Sequence, residues 1–155
     1  MIYLIRHASS GARYDFGRND FERPLDAHGV LQAEQIKEAL HSQPIQKVLS
    51  SRAVRCQQSV APLARHLNLE IEIDPDLFEG SHAAATTLIK KILTAPYDVA
   101  ACSHGDVIPE ILGDLINEGL QIRGGRSCAK GSIWALSFSE DQLLGSYYSS
   151  PPAFQ

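Results

Sequence analysis

Short apolar runs alternate with longer segments of helical spacing along this chain, and that alternation constrains the fold more than any other feature. The runs at residues 1–5, 48–51 and 97–103 are typical of strands that are buried on both faces. Strands that alternate with helices are joined by crossover connections, which produce parallel pairing. The pattern therefore predicts the α/β class, as a three-layer α/β/α domain with a mainly parallel central sheet.

Four helices are predicted between and after these strands, over residues 26–42, 53–67, 83–93 and 107–119. In the first of them Asp26 is placed to cap the start. The apolar positions expected on its buried face are Val30, Ala33, Ile36, Ala39 and Leu40. Residues 132–138 and 143–148, separated by polar residues, predict an antiparallel pair at the edge of the sheet. With no repeat or linker, residues 1–155 are interpreted as a single domain.

Composition narrows the classes of partner. The formal net charge of -4 gives no overall attraction to nucleic acid or to an anionic membrane, and no apolar run has the length of a membrane span. Three widely spaced cysteines without a C-x-x-C pair fit neither a disulfide framework nor a zinc knuckle. The sequence therefore predicts a soluble cytoplasmic protein without nucleic-acid or membrane partners, and it makes no prediction about oligomeric state.

Basic side chains follow three of the predicted strands. Arg6 and His7 come after the first strand, Arg55 after the second and His104 after the third. Ligands of open α/β sheets bind beyond the carboxyl ends of the strands, so these side chains are expected to share one crevice. Two guanidinium forks suit a tetrahedral anion such as phosphate. A histidine beside them either donates to that phosphate or attacks phosphorus through an unprotonated ring nitrogen.

The ordered set of motifs around these residues also resembles a known family. It comprises Arg6-His7, the run SRAVRCQQS at 51–59, LFE at 77–79 and SHG at 103–105, with further agreement at RPL (23–25) and KGSI (130–133). In this order and spacing the chain resembles the histidine phosphatase superfamily, the phosphoglycerate mutase-like group, over nearly its whole length. The R-H-A start and the short chain are most similar to small bacterial phosphohistidine phosphatases and to the phosphatase domain of some Nudix hydrolases.

The resemblance implies a role for each matching residue. His7 would be the nucleophile that becomes phosphohistidine, while Arg6, Arg55 and His104 hold the phosphoryl oxygens. Glu79 would protonate the leaving oxygen and then activate the hydrolytic water. No metal or other cofactor is implied, and the substrate would be a phosphorylated protein or a small phosphate compound.

Several points remain alternatives at this stage. Ser10 and His82 are candidate substrate contacts, and the polar stretch 9–22, flanked by Arg13, Arg18 and Arg23, is either the mouth of the site or a solvated loop.

Glu79 is either the proton donor or a solvated loop acid. The chain is either a phosphatase or a non-catalytic phosphate-binding or interaction module, and the presence of His7 with Glu79 favours the enzyme. The resemblance favours a phosphohistidine substrate, whereas Glu79 favours an ester because an alkoxide leaving group needs an acid. Mutase activity is not expected, because the chain has no room for the insertions that mutases use.

Overall fold

A single six-stranded mixed sheet forms the centre of the computed structural model, which describes residues 1–12, 16–80 and 82–149. The strands are β1 (Ile2–Arg6), β2 (Ile45–Ser50), β3 (Ile71–Ile73), β4 (Asp98–Ser103), β5 (Ile133–Ser139) and β6 (Gln142–Tyr148). The helices are α1 (Ala27–Leu40), α2 (Val54–Leu67), α3 (His82–Leu93) and α4 (Ile108–Asn117).

The strands lie in the order β3-β2-β4-β1-β5-β6. β1 to β4 pair in parallel, whereas β5 is antiparallel to β1 and β6 is antiparallel to β5. The predicted mainly parallel sheet with an antiparallel edge is therefore confirmed.

Helices cover both faces of the sheet. Because successive side chains of a strand point to opposite faces, β1 divides its apolar residues between two cores. Ile2 and Leu4 pack with the buried residues of α3 and α4, and Tyr3 and Ile5 pack with those of α1 and α2. This arrangement confirms the predicted three layers and explains why the first strand is apolar at consecutive positions.

Helix α1 shows where helical periodicity predicted the wrong inward residue. Asp26 caps the helix as expected, since its Oδ1 accepts from the Gly29 backbone N at 2.8 Å. Val30, predicted for the buried face, is 55 % exposed, and Gly29 is buried instead. A Cβ at position 29 would lie 1.9 Å from the Ser9 carbonyl oxygen, so only glycine fits there. A count of apolar residues cannot detect this position, because glycine carries no side chain.

Strand β3 was missed by the sequence pattern. It has three residues and adds to β2 in parallel, with Val48 paired to Ile71 and Ser50 to Ile73. A run of three is too short for alternation to distinguish it from a loop. The antiparallel edge was predicted, and β5 and β6 are joined through Glu140 and Asp141, whose φ angles of 50° and 67° are left-handed, as two-residue hairpin turns require.

None of the helices formed by the described residues combines the length and the hydrophobicity needed to cross a bilayer.

Candidate active site

Three adjacent parallel strands bring the predicted basic residues to one edge of the sheet. Arg6 is paired in register with Ser103, so His7 and His104 follow neighbouring strand ends, with their ring centroids 5.4 Å apart. Helix α2 begins soon after β2 and supplies Arg55. His7, Arg55 and His104 are buried, at 6 %, 0 % and 1 % exposure. The structure thus assembles the crevice that strand order alone predicts.

The His7 ring is held in one tautomer by the main chain. Its Nδ1 lies 2.9 Å from the carbonyl oxygen of Ala8, and since a carbonyl only accepts, Nδ1 carries the hydrogen. Burial lowers the pKa of His7 to about 3, assisted by the charges of Arg55 and Arg6 and opposed by the hydrogen bond to Ala8. The ring is therefore neutral at physiological pH, with the Nε2 lone pair available for attack.

Both arginines have a buried N–H group that the described residues do not satisfy. Arg55 Nη1 donates to the Asp20 carbonyl oxygen at 2.9 Å, and Arg6 Nη1 donates to the Cys128 carbonyl oxygen at 2.6 Å. The Nε atoms of Arg6 and Arg55 are buried without a hydrogen-bond partner among those residues. Leaving a charged donor unsatisfied is costly, so this pair indicates a site for an anion.

Local packing explains why the arginines are placed here. Arg55 and Ser59 lie one turn apart on α2, and Ser59 Oγ donates to the Arg55 carbonyl oxygen at 2.6 Å. The same Oγ accepts from the Ala8 backbone N at 2.8 Å, which ties the helix to the end of β1. A Cβ at Gly105 would lie 2.5 Å from Arg6 Cζ, so glycine allows the guanidinium to lie against the backbone.

His104 completes the group through contacts on both ring nitrogens. Its Nε2 lies 2.8 Å from Ser51 Oγ, and its Nδ1 lies 3.5 Å from Arg55 Nη2. The ring also meets Phe78 edge-on, with centroids 5.5 Å apart. These contacts fix the imidazole beside His7. Binding of phosphoryl oxygens by His104 stays a prediction.

Glu79 lies beside the same arginine. Its Oε2 is 3.4 Å from Arg55 Nη2, and its side chain is 27 % exposed. The residues on either side anchor it, because Leu77 is buried in the core and the Gly80 backbone N donates to Asp106 Oδ2 at 3.0 Å. Glu79 is therefore not a fully solvated acid, and its role as the proton donor stays a prediction. Asp106 accepts this hydrogen bond from the loop and does not cap α4.

The two candidate substrate contacts differ in position. Ser10 is buried and lines a cavity together with His7, and its Oγ accepts a hydrogen bond from Arg23 Nη1. His82 is exposed at the start of α3, where its Nε2 lies 3.8 Å from Asp114 Oδ2 on α4. The structure therefore brings Ser10 to His7 and sets the His82 ring against α4. Substrate contact by His82 stays a prediction.

The cavity contains residues that the motifs did not identify as functional. Its volume is about 510 Å³, and it is lined by Arg6, His7, Ser10, Gly11, Ala12, Arg23, Asp26 and Lys130. Lys130 was noted only as part of a matching run, although its charge also lowers the pKa of His7.

Asp20 was missed altogether. Its Oδ1 accepts from Arg23 Nε at 2.8 Å and its Oδ2 lies 3.4 Å from Arg55 Nη2. The spacing of three residues between Asp20 and Arg23 could have indicated that these two side chains form an ion pair.

The polar stretch 9–22, with the arginines that flank it, contains both residues of the site and solvated residues. Arg23 is buried in the cavity wall, Arg18 is exposed, and Arg13 lies outside the described residues. Arg52 is exposed but lies between two rings, with its Cζ 4.6 Å from the centroid of Phe21 and 4.4 Å from that of Phe78. Residues 10–12 of the stretch thus line the site, whereas residues 16–19 are exposed.

Comparison with known proteins identifies the family. The sequence model of the histidine phosphatase superfamily (branch 1) matches residues 2–88, more than half of the chain. The chain belongs to the histidine phosphatase superfamily. This confirms the predicted membership of that superfamily and the predicted class of enzyme, a histidine-type phosphatase.

Individual relatives agree with this assignment. An 8-oxo-(d)GTP phosphatase from Mycolicibacterium smegmatis is 33 % identical over 97 % of the chain and 48 % of that protein. The chain therefore spans about half the length of this relative.

Solved structures share the fold of this chain. The protein histidine phosphatase SixA, complexed with tungstate, superposes with a TM-score of 0.71 at 20 % identity over 95 % of this chain and 93 % of that one. A mycobacterial glucosyl-3-phosphoglycerate phosphatase in complex with VO3 gives a TM-score of 0.68 at 12 % identity over 94 % and 96 %. The predicted phosphoglycerate mutase-like fold is confirmed.

Among the described residues, no group of three or more histidine, cysteine, aspartate or glutamate side chains is arranged to hold a metal ion. Metal independence and the absence of a cofactor stay predictions.

Proposed function

We propose that this chain hydrolyses phosphoryl groups through a phosphohistidine formed on His7, without a metal ion. The substrates proposed from sequence are protein phosphohistidine or a small phosphomonoester. The observation that carries the proposal is the neutral, buried His7 ring beside two arginines whose Nε donors lack partners among the described residues. A nucleophile free to attack and donors that await an anion are the two requirements of phosphoryl transfer.

In the first step His7 Nε2 attacks phosphorus, and the bond from phosphorus to the leaving oxygen breaks. Arg6, Arg55 and His104 bind the equatorial oxygens, where charge is redistributed in the transition state. The Nδ1 hydrogen stays on the ring, held by the Ala8 carbonyl oxygen at 2.9 Å. The phosphorylated ring thus keeps one stabilising hydrogen bond throughout.

Glu79 supplies the proton in this scheme. It protonates the departing oxygen, and its carboxylate then takes a proton from the water that attacks phosphohistidine. Release of phosphate regenerates neutral His7. The position of Glu79, 3.4 Å from Arg55 Nη2, supports this role because Arg55 holds the reacting group.

The named relatives support phosphoryl chemistry and differ in substrate. One structural neighbour is a protein histidine phosphatase, another is a glucosyl-3-phosphoglycerate phosphatase, and the Mycolicibacterium relative is an 8-oxo-(d)GTP phosphatase. A reducing compartment such as the cytoplasm is proposed from sequence, in line with the free thiols of Cys56, Cys102 and Cys128.

The test is to trap the phosphoenzyme. The protein is mixed briefly with a radiolabelled phosphomonoester in the presence of a chelator and quenched in alkali, where phosphohistidine survives and from which acid releases it. We expect label on the wild type and on His28→Ala, a control at an exposed histidine of α1, and none on His7→Ala. Label retained by His7→Ala would contradict the assignment. Phosphate binding without label or turnover in the wild type would instead support the non-catalytic module.

A further inference from the structure

The cavity above His7 continues to the protein surface. His7 is 6 % exposed at its inner end, whereas Lys130, another lining residue, is exposed. A volume of about 510 Å³ lies within the range of small-molecule pockets and far exceeds a single phosphoryl group. A ligand whose phosphoryl group reaches His7 therefore extends outward past Lys130.

The wall of this cavity carries more available positive than negative charge. Asp26 lines it, but its Oδ1 accepts from the Gly29 backbone N and its Oδ2 accepts from Ser9 Oγ, both at 2.8 Å. That carboxylate is thus occupied as a helix cap.

Arg23 is buried in the same wall with its Nε donating to Asp20 Oδ1 at 2.8 Å, and its Nη1 donates to Ser10 Oγ. The available positive charge of the wall is therefore that of Arg6 and Lys130. The Ser10 hydroxyl, acting as an acceptor there, keeps its own hydrogen for a second partner.

Lys130 is fixed next to His7 through its backbone. The Gly131 backbone N lies 3.1 Å from the His7 carbonyl oxygen, and Gln32 Nε2 donates to the Lys130 carbonyl oxygen at 3.1 Å. Its ammonium makes no ion pair within the described ranges 1–12, 16–80 and 82–149, whereas Lys37, Lys47 and Lys90 each pair with a carboxylate. Lys130 is therefore a fixed cation at the mouth of a phosphate site, with the capped Asp26 carboxylate as its electrostatic neighbour on the same wall.

We propose that Lys130 binds a second phosphate group, joined directly to the one transferred to His7, so that the preferred substrates end in a diphosphate. This inference rests on the proposed function of His7 and names its substrate class as phosphoanhydrides. Ser10, on the same wall, donates its hydroxyl hydrogen to the bound anion. An ammonium with three donors suits a phosphate oxygen as a point charge, without the geometric demand of a guanidinium.

The reaction balances with water as the only co-reactant. His7 Nε2 attacks the terminal phosphorus, the bond to the bridging oxygen breaks, and its electron pair stays on that oxygen. The oxygen leaves as part of the shortened phosphate, whose developing charge Lys130 stabilises. Water then attacks phosphohistidine, the P–N bond breaks, and orthophosphate is released. Since a phosphate leaving group is less basic than an alkoxide, this substrate class depends less on Glu79.

Two non-hydrolysable probes test the inference by calorimetry. Methylphosphonate carries one phosphonate group, and methylenediphosphonate carries two on a shared carbon. We expect the wild type to bind the diphosphonate about tenfold more tightly, as one charge-assisted contact supplies. Lys130→Gln is expected to lose most of that difference while keeping its affinity for methylphosphonate. Lys130→Arg should retain the difference, as should Lys91→Gln, a control at an exposed lysine of α3.

The outcomes separate the two proposals. Equal binding of both probes by the wild type, or an unchanged preference in Lys130→Gln, would overturn the role of Lys130 alone, provided that methylphosphonate binds. Failure of methylphosphonate to bind the wild type would remove the phosphate site itself, and with it both proposals.

Discussion

At the scale of single residues, the arginines have two effects on His7. They provide donors for a phosphoryl group, and their charges add to the larger effect of burial, which lowers the pKa of the imidazole to about 3. A histidine in water near neutral pH would be protonated part of the time and would then lack a nucleophilic nitrogen. The residues that bind the anion therefore also maintain the nucleophile.

The low pKa of His7 predicts how stability depends on pH. In the unfolded chain this group titrates near about 6.5, so between that pH and about 3 the unfolded state binds more protons than the folded state. Stability is consequently lost as the pH falls below about 6.5. As the pH falls from about 7 to about 5, we expect the free energy of unfolding to decrease by about 2 kcal/mol because of His7, as measured by urea unfolding. His7→Gln should lose correspondingly less stability over this range, and an unchanged pH dependence would contradict the burial argument.

Glu79→Gln tests proton donation through the leaving group. In single-turnover experiments, we expect an alkyl phosphate to react about 10²- to 10⁴-fold more slowly, because the alkoxide leaves poorly without an acid. p-Nitrophenyl phosphate should be affected much less, since its phenolate leaves unaided. Glu70→Gln, an exposed acid beyond α2, serves as the control. Equal small effects on both substrates would make Glu79 a bystander.

At the scale of elements, the contact between α1 and the segment after β1 depends on Gly29. For Gly29→Ala, the new Cβ would lie 1.9 Å from a backbone oxygen that cannot move independently of the site. We expect a loss of about 1 to 3 kcal/mol in the free energy of unfolding, despite the better helix propensity of alanine. Thermal and urea unfolding would measure it.

The matched control is Gly113→Ala on α4. There the nearest atom to an added Cβ is Nη1 of Arg126, at 2.5 Å, the far end of a flexible side chain that can shift. This variant should be neutral or more stable. If both variants behaved alike, the close approach of α1 to Ser9 would not limit position 29.

Elements were predictable from the sequence where their own side chains define a pattern. Strands β1 and β4 are apolar at consecutive positions because helices cover both of their faces, and Asp26 marks the start of α1 by capping chemistry. Val30 was assigned to the wrong face and β3 was missed because both depend on neighbours. Gly29 is buried on α1 in place of Val30 because the Ser9 carbonyl oxygen lies against it, and β3 forms by pairing with β2.

At the scale of the whole molecule, some residues of the site were predictable from the sequence pattern, whereas others depend on neighbouring segments. His7, Arg55 and His104 were predictable because parallel strands always deliver their carboxyl ends to one edge. Lys130 was not, because its place beside His7 depends on the antiparallel pairing of β5 with β1, which sets Ile133 opposite Ile5, and on loop contacts of its own backbone. Asp20 and Arg23 enter the site through a loop path that no strand pattern specifies. A net charge of -4 likewise gives no hint of a locally cationic cavity.

The bond from His7 Nδ1 to the Ala8 carbonyl oxygen has a consequence for how the enzyme can evolve. Many histidine nucleophiles and bases are oriented by a carboxylate, which a single codon change can delete or replace. Here the acceptor is a main-chain atom, present whichever amino acid is encoded at position 8. Heritable changes in the reactivity of the nucleophile must therefore arise among the residues that bury the ring or at the surrounding cations. In a selection for altered turnover, adaptive substitutions should accumulate at positions such as 130, while no mutation at position 8 can remove the tautomer-fixing acceptor.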